Sequence, residues 1–220
     1  MINGLSVPHP TSIHAFKAYD ALLVKHCAAV IASLRPANLL VLRCRQLVDQ
    51  AGMDAVLRHY RREFKDSSLK ITTFYRSSCE ALVYLYDPQA MMRWLNHIRH
   101  RLFLIDCGYR FEDHLTLDEQ LRRLLDQLRQ RIAAAKLKGE DFPHEIGIFL
   151  GYPFEDVMGF IQKGSQEALC TGYWKVYQNP NQKMALFKKI RQWEDRFVKA
   201  IDLGSRPRAL VRSTVLRHVS

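Results

Sequence analysis

The residues best suited to chemistry lie in TGYWKVY at 171–177. Strand alternation sets Tyr173, Lys175 and Tyr177 on one face, and Trp174 and Val176 on the other. Two phenols and an ammonium suit a planar anion, held by stacking and by a charge-assisted hydrogen bond. Arg76, from the β-rich run LKITTFYR, adds a guanidinium if these strands pair, and Tyr152 adds a further phenol. The expected ligand-binding set is therefore Arg76, Tyr152, Tyr173, Lys175 and Tyr177, on a basic, Tyr-rich cleft. On the hairpin that holds Arg76, Tyr84 and Tyr86 share one face, while Phe74 and Arg76 share another. The competing reading is an ordinary exposed sheet face with tyrosines on it.

Three residues are catalytic candidates without an assigned role: His144, Glu145 and Cys27. A His–Glu pair does acid–base work because His titrates near neutral pH. Neighbours on a helix diverge by about 100°, however, so His144 and Glu145 do not share a proton path in regular backbone. Ile148 stands where H-E-x-x-H needs its second His, so zinc-protease chemistry has no support. Cys27 beside His26 invites a nucleophile or a haem ligand, and nine His and nine Tyr leave haem or thiol-dependent enzyme chemistry open. Both residues fall on or beside an apolar stripe, which favours core packing. No P-loop or dinucleotide-binding glycine pattern occurs. No metal is expected, and the cofactor is unknown.

Gly147, Gly151, Val157 and Phe160 have the spacing of a helix-turn-helix: a small residue for close approach, a glycine for the turn, and apolar locks. The second helix of that hairpin opens with Glu155 and Asp156 and lacks base-reading side chains. Those acids suit a helix N-terminus instead. The nucleic-acid alternative therefore rests on the hairpin together with Arg206, Arg208 and Arg212 of the basic C-terminal segment.

These residues belong to a 220-residue chain with 33 Lys plus Arg against 22 Asp plus Glu, a formal charge of +11. Its 48% hydrophobic content excludes a disordered or fibrous chain. A surplus of that size points to an anionic partner: an anionic small molecule, an acidic protein or nucleic acid. No apolar run approaches the roughly 20 residues of a membrane span, so no transmembrane segment is expected. The N-terminus lacks the pattern of a signal peptide. Five scattered cysteines without C-x-x-C fit a reduced, cytoplasmic protein.

Positioning falls to helices and a few strands. Apolar spacing predicts a helix over 12–34 and another over 53–64, with a short strand at 38–44 between them. The runs at 69–76 and 81–87 read as a hairpin joined by SSCE. Asp87-Pro88 starts a helix that runs through Met91, Trp94, Leu95 and Ile98 to about Ile105. Thr116 and Glu119 form a capping box for a helix ending near Gly139. Two short helices follow over 143–162, then a strand at 171–178 and a last helix from Asn179-Pro180. The fold class is α+β: a small, mostly antiparallel sheet of about four strands covered by amphipathic helices. One domain is expected over residues 1–203, with a basic tail over 204–220.

The stretches FPHEIGIFLGYPFEDVMGFI (142–161) and GYWKVY (172–177) resemble a bacterial family, domain of unknown function 3793. The segment from His26-Cys27 to LRPANL (34–39), and Leu82-Val83-Tyr84 with its following helix, are similar to the same family. The resemblance covers about residues 20–200. It implies a cytoplasmic bacterial protein and brings no catalytic residues with it.

Overall fold

The computed structural model describes residues 13–43, 50–139 and 141–211. In chain order it contains α1 (Ile13–His26), α2 (Ala28–Ile31), β1 (Ala37–Arg43), α3 (Gln50–Phe64), β2 (Lys70–Arg76) and β3 (Glu80–Tyr86). Then come α4 (Pro88–Leu95), α5 (Ile98–Asp106), α6 (Leu117–Lys138), α7 (Ile146–Phe149), α8 (Phe154–Lys163), β4 (Cys170–Thr171), β5 (Lys175–Val176) and α9 (Pro180–Asp202). The fold is α+β, as composition and periodicity predict. The chain divides into two compact units. One holds the described residues up to Leu34, Asn38–Tyr86 and those from Trp193; the other holds Arg35–Ala37 and Asp87–Gln192.

In the first unit the strand order is β1-β3-β2, so α3 carries the chain from one sheet edge to the other. β2 and β3 are antiparallel, and Ser77 N–H closes their turn on the Glu80 carbonyl at 2.9 Å. Ala81, Val83 and Leu85 of β3 join Leu40 and Leu42 of β1 in a core with Leu23, Val56, Tyr60 and Phe197. The alternation expected of β2 fails at one point. The register shifts between Thr73 and Tyr75, and this bulge lets Phe74 stack on Tyr84 at 4.4 Å instead of sharing a face with Arg76. The segment beyond residue 203 also contributes: residues 207–211 are helical, and Leu210 and Val211 are buried in this core.

The second unit is mainly helical. Asp87 caps α4 by accepting from Ala90 N–H at 2.9 Å, with Pro88 in the first turn. Thr116 and Glu119 make the capping box of α6, and Gly139 ends it in the left-handed conformation. The helix predicted from Pro88 to Ile105 is instead two helices. Asn96 and the extended His97 interrupt it, and His100 Nδ1 lies 2.7 Å from the Trp94 carbonyl. His100 is buried by the turn, whereas Ile98 is left on the surface.

The 143–162 hairpin forms as α7 and α8. Gly151 turns the chain at φ +72, a backbone that β-carbons disfavour. Gly147 supplies the close approach, since a Cβ there would lie 2.7 Å from a Val157 methyl. The Gly147→Ala change is expected to lower stability by about 1–3 kcal/mol, despite the better helix propensity of Ala. The loss should shrink in a Val157→Ala background, measured as a double-mutant cycle by urea unfolding. An equal loss in both backgrounds would show that the contact is not the cause.

Candidate functional site

A run of cations in the first unit lies on the last turns of α3 and on Lys65, the residue that follows it. Arg58, Arg61, Arg62 and Lys65 are all exposed. At 3.6 residues per turn they fall within an arc of about 100°, so they form one face. Asp54, one turn before Arg58, is bound by Arg76 of β2. The hydrogen bond from Arg76 holds the Asp54 carboxyl below its usual range, and the charges of Arg76, Arg58 and Arg61 act in the same direction.

The other side of α3 carries buried charge. His59 Nε2 lies 2.7 Å from Asp20 Oδ1 of α1, beneath the Phe16 ring at 4.5 Å. Burial pushes the Asp20 carboxyl up from 3.8, against the hydrogen bond and charge of His59. Glu63 is 2% exposed and is bound by Arg206. Tyr60 donates to the Tyr19 carbonyl at 2.6 Å. Periodicity could not pair these groups. Asp20 and His59 are separated by 39 residues, Glu63 and Arg206 by 143. The signal available was weak: a carboxylate on the buried face of each helix.

The expected ligand set does not assemble as a strand face. Arg76 belongs to the first unit; Tyr152, Tyr173, Lys175 and Tyr177 belong to the second. The run TGYWKVYQ is not one strand. Thr171 pairs with Lys175, so Gly172, Tyr173 and Trp174 form the turn of a two-residue ribbon. The cause is Asp156, 2% exposed at the start of α8. It accepts from Trp174 Nε1 at 2.8 Å, Tyr177 N at 2.8 Å and Gln178 N at 3.3 Å. Those three donors bend the segment around one carboxylate. Tyr177 is 7% exposed, packs against Gly159 and donates to the Gly164 carbonyl. Tyr152 stacks on Trp174 at 5.0 Å with the Arg35 guanidinium over both rings, and Tyr173 meets Phe187 edge-on at 5.4 Å. Tyr152 and Tyr173 are thus part of a packed aromatic cluster, Tyr177 is packed on α8, and Lys175 is half-buried.

The catalytic candidates separate. His144 is exposed and meets the Phe160 ring edge at 5.1 Å. Glu145 turns inward, to Arg131 Nε at 2.6 Å and the Tyr109 hydroxyl at 3.1 Å. Arg131 also lines a surface hollow of about 370 Å³ with Gln130, Ala134, Asp141 and Pro143. Nearby Cys107 has its thiol pushed up by burial and by Glu145, so it is no ready nucleophile. Cys27 is fully buried in the first unit's core. Among the described residues no cluster of His, Cys, Asp or Glu is arranged to hold a metal. No helix among them is long and apolar enough to cross a membrane. Of the basic C-terminal residues, Arg206 is bound to Glu63, Arg208 is exposed, and Arg212 lies outside the described residues.

Removing Arg206 strands a buried carboxylate. Arg206→Ala is expected to cost about 2–4 kcal/mol in chemical denaturation, and Glu63→Gln in the same chain should restore at least half. A loss under about 0.5 kcal/mol would mark the pair as a surface contact.

No curated protein and no solved structure matches the chain. A family model does, over residues 23–211, from within α1 to Val211. The chain therefore belongs to the family described as protein of unknown function (DUF3793).

Proposed function

We propose that this chain is a binding protein that takes an anionic partner, an acidic protein segment, on the exposed face of α3. The row Arg58, Arg61, Arg62 and Lys65 carries the reading. Like charges three and four residues apart repel by a few tenths of a kcal/mol per pair. The C-terminal dipole of α3 offsets part of that cost for Arg61 and Arg62. Carboxylates from a partner would relieve the rest. The row spans about 10 Å along the axis, room for three or four acidic side chains.

Tyr60 and Phe64, the aromatic residues beside the row, are buried. That favours a carboxylate-bearing partner over single-stranded nucleic acid, whose bases need rings to stack on. The rings of Tyr152 and Tyr173 pack on Trp174 and Phe187, which favours the cations of α3 over the Tyr-rich segment as the binding element. Free thiols at Cys27, Cys79, Cys107 and Cys170 support a reducing, cytoplasmic setting.

The test is fluorescence anisotropy with a labelled oligo-glutamate peptide and the full chain. Binding is expected at about 50 mM salt and should weaken steeply as salt rises. Changing Arg58, Arg61, Arg62 and Lys65 together to Gln should weaken it at least tenfold. Changing Lys188, Lys189 and Arg191 to Gln should leave it within about twofold, because those cations lie on α9. Equal losses from both sets would refute the α3 assignment. Tighter binding to duplex DNA than to the peptide would transfer the reading to nucleic acid.

A further inference from the structure

The helix α5 presents an apolar stripe to solvent. Ile98 is 62% exposed, Leu102 54% and Ile105 44%. At 100° per residue these three side chains lie within about 60° of one another. His100 and Leu104, on the opposite side, are buried. The stripe is nearly symmetric about Leu102, with Ile98 four residues before it and Ile105 three residues after.

The charges beside the stripe are reversed relative to the helix dipole. Arg99 is in the first turn and Asp106 is the last residue, and α5 has no acid in its first turn and no base in its last. Arg99 and Asp106 are both exposed. Seven residues apart, they share one flank but stand about 10 Å from each other along the axis. The Arg99 guanidinium rests 4.4 Å over the Phe154 ring, which fixes its base and leaves its N–H edge able to bond. Arg101, on the other flank, is already engaged by Asp113 at 2.7 Å.

We infer that α5 docks against α5 of a second copy of this chain, antiparallel, with a two-fold axis at Leu102. That operation sets Leu102 on Leu102 and Ile98 beside Ile105 of the second copy. Residues on the same flank face each other across an antiparallel pair, so Arg99 meets Asp106 of the second copy, twice. Each charge then finds an opposite charge, and the two helix dipoles also oppose. A nine-residue helix is about 13 Å long, so the interface is small. Association in the range of roughly 10–500 micromolar is the expectation for such a contact. Three apolar side chains are also a poor membrane anchor, since the binding of an interfacial helix scales with the apolar area it buries.

Sedimentation equilibrium of the full chain tests this. The weight-average mass should rise from 25.7 kDa toward twice that as concentration approaches about 500 micromolar. Leu102→Asp should leave a monomer. Arg99→Asp and Asp106→Arg should each weaken association at least tenfold, because each puts like charges opposite one another. An equimolar mixture of those two variants should associate again, as a heterodimer in which every pair is opposite in sign. This recovery cannot come from misfolding, so it separates the charge contact from structural damage. A native monomer at that concentration, an unchanged Leu102→Asp dimer, or a mixture that stays monomeric would overturn the inference. Binding to anionic phosphatidylserine vesicles that depends on Leu102, without self-association, would overturn it in favour of a membrane surface.

Discussion

Burial of carboxylates governs this molecule more than any other constraint. Asp20, Glu63, Glu145 and Asp156 are all buried. An ionised carboxylate taken out of water costs several kcal/mol unless charge and hydrogen bonds compensate it. Each is compensated: a histidine for Asp20, a guanidinium for Glu63, a guanidinium and a phenol for Glu145, and for Asp156 an indole, two backbone amides and the Lys183 ammonium at 3.9 Å. The consequence reaches the surface. Negative charge is concealed inside local networks, so cations such as those on α3 face water without an equal number of acids around them.

The same networks shape the backbone. Asp156 gathers the segment from Trp174 to Gln178, which turns a stretch of strand-forming residues into a two-residue ribbon. Glu145 draws its peptide inward and leaves His144 at the surface. Neither outcome follows from β-propensity or helical periodicity, because both depend on a partner distant in sequence. The tyrosines around Asp156 are thereby engaged in packing.

Legibility in the sequence followed the range of the interactions. Asp87 with Pro88, Thr116 with Glu119, Gly139, and the Gly147–Gly151 hairpin were readable because their physics spans a few residues. The β2–β3 hairpin was readable for the same reason, except at Phe74, where a bulge defeats alternation. The interruption at Asn96 and His97 was not readable: Ile98 continues the apolar spacing of Met91, Trp94 and Leu95, and burial of His100 against Trp94 overrides it. The pairings Asp20–His59 and Glu63–Arg206 were beyond reach, since tertiary structure alone brings them together. Of the expected ligand set, the residue types were sound anion binders, but their alternation assumed a longer strand than forms. The cluster at 58–65 stood out as charge, and only the helix revealed that its cations share a face.

The most direct measurement is amide chemical-shift mapping on the full, isotope-labelled chain as an acidic peptide is added. The largest shifts are expected on Arg58, Arg61, Arg62 and Lys65, with Tyr173, Lys175 and Tyr177 unmoved. Shifts concentrated on the Tyr173–Tyr177 ribbon, with α3 silent, would contradict it.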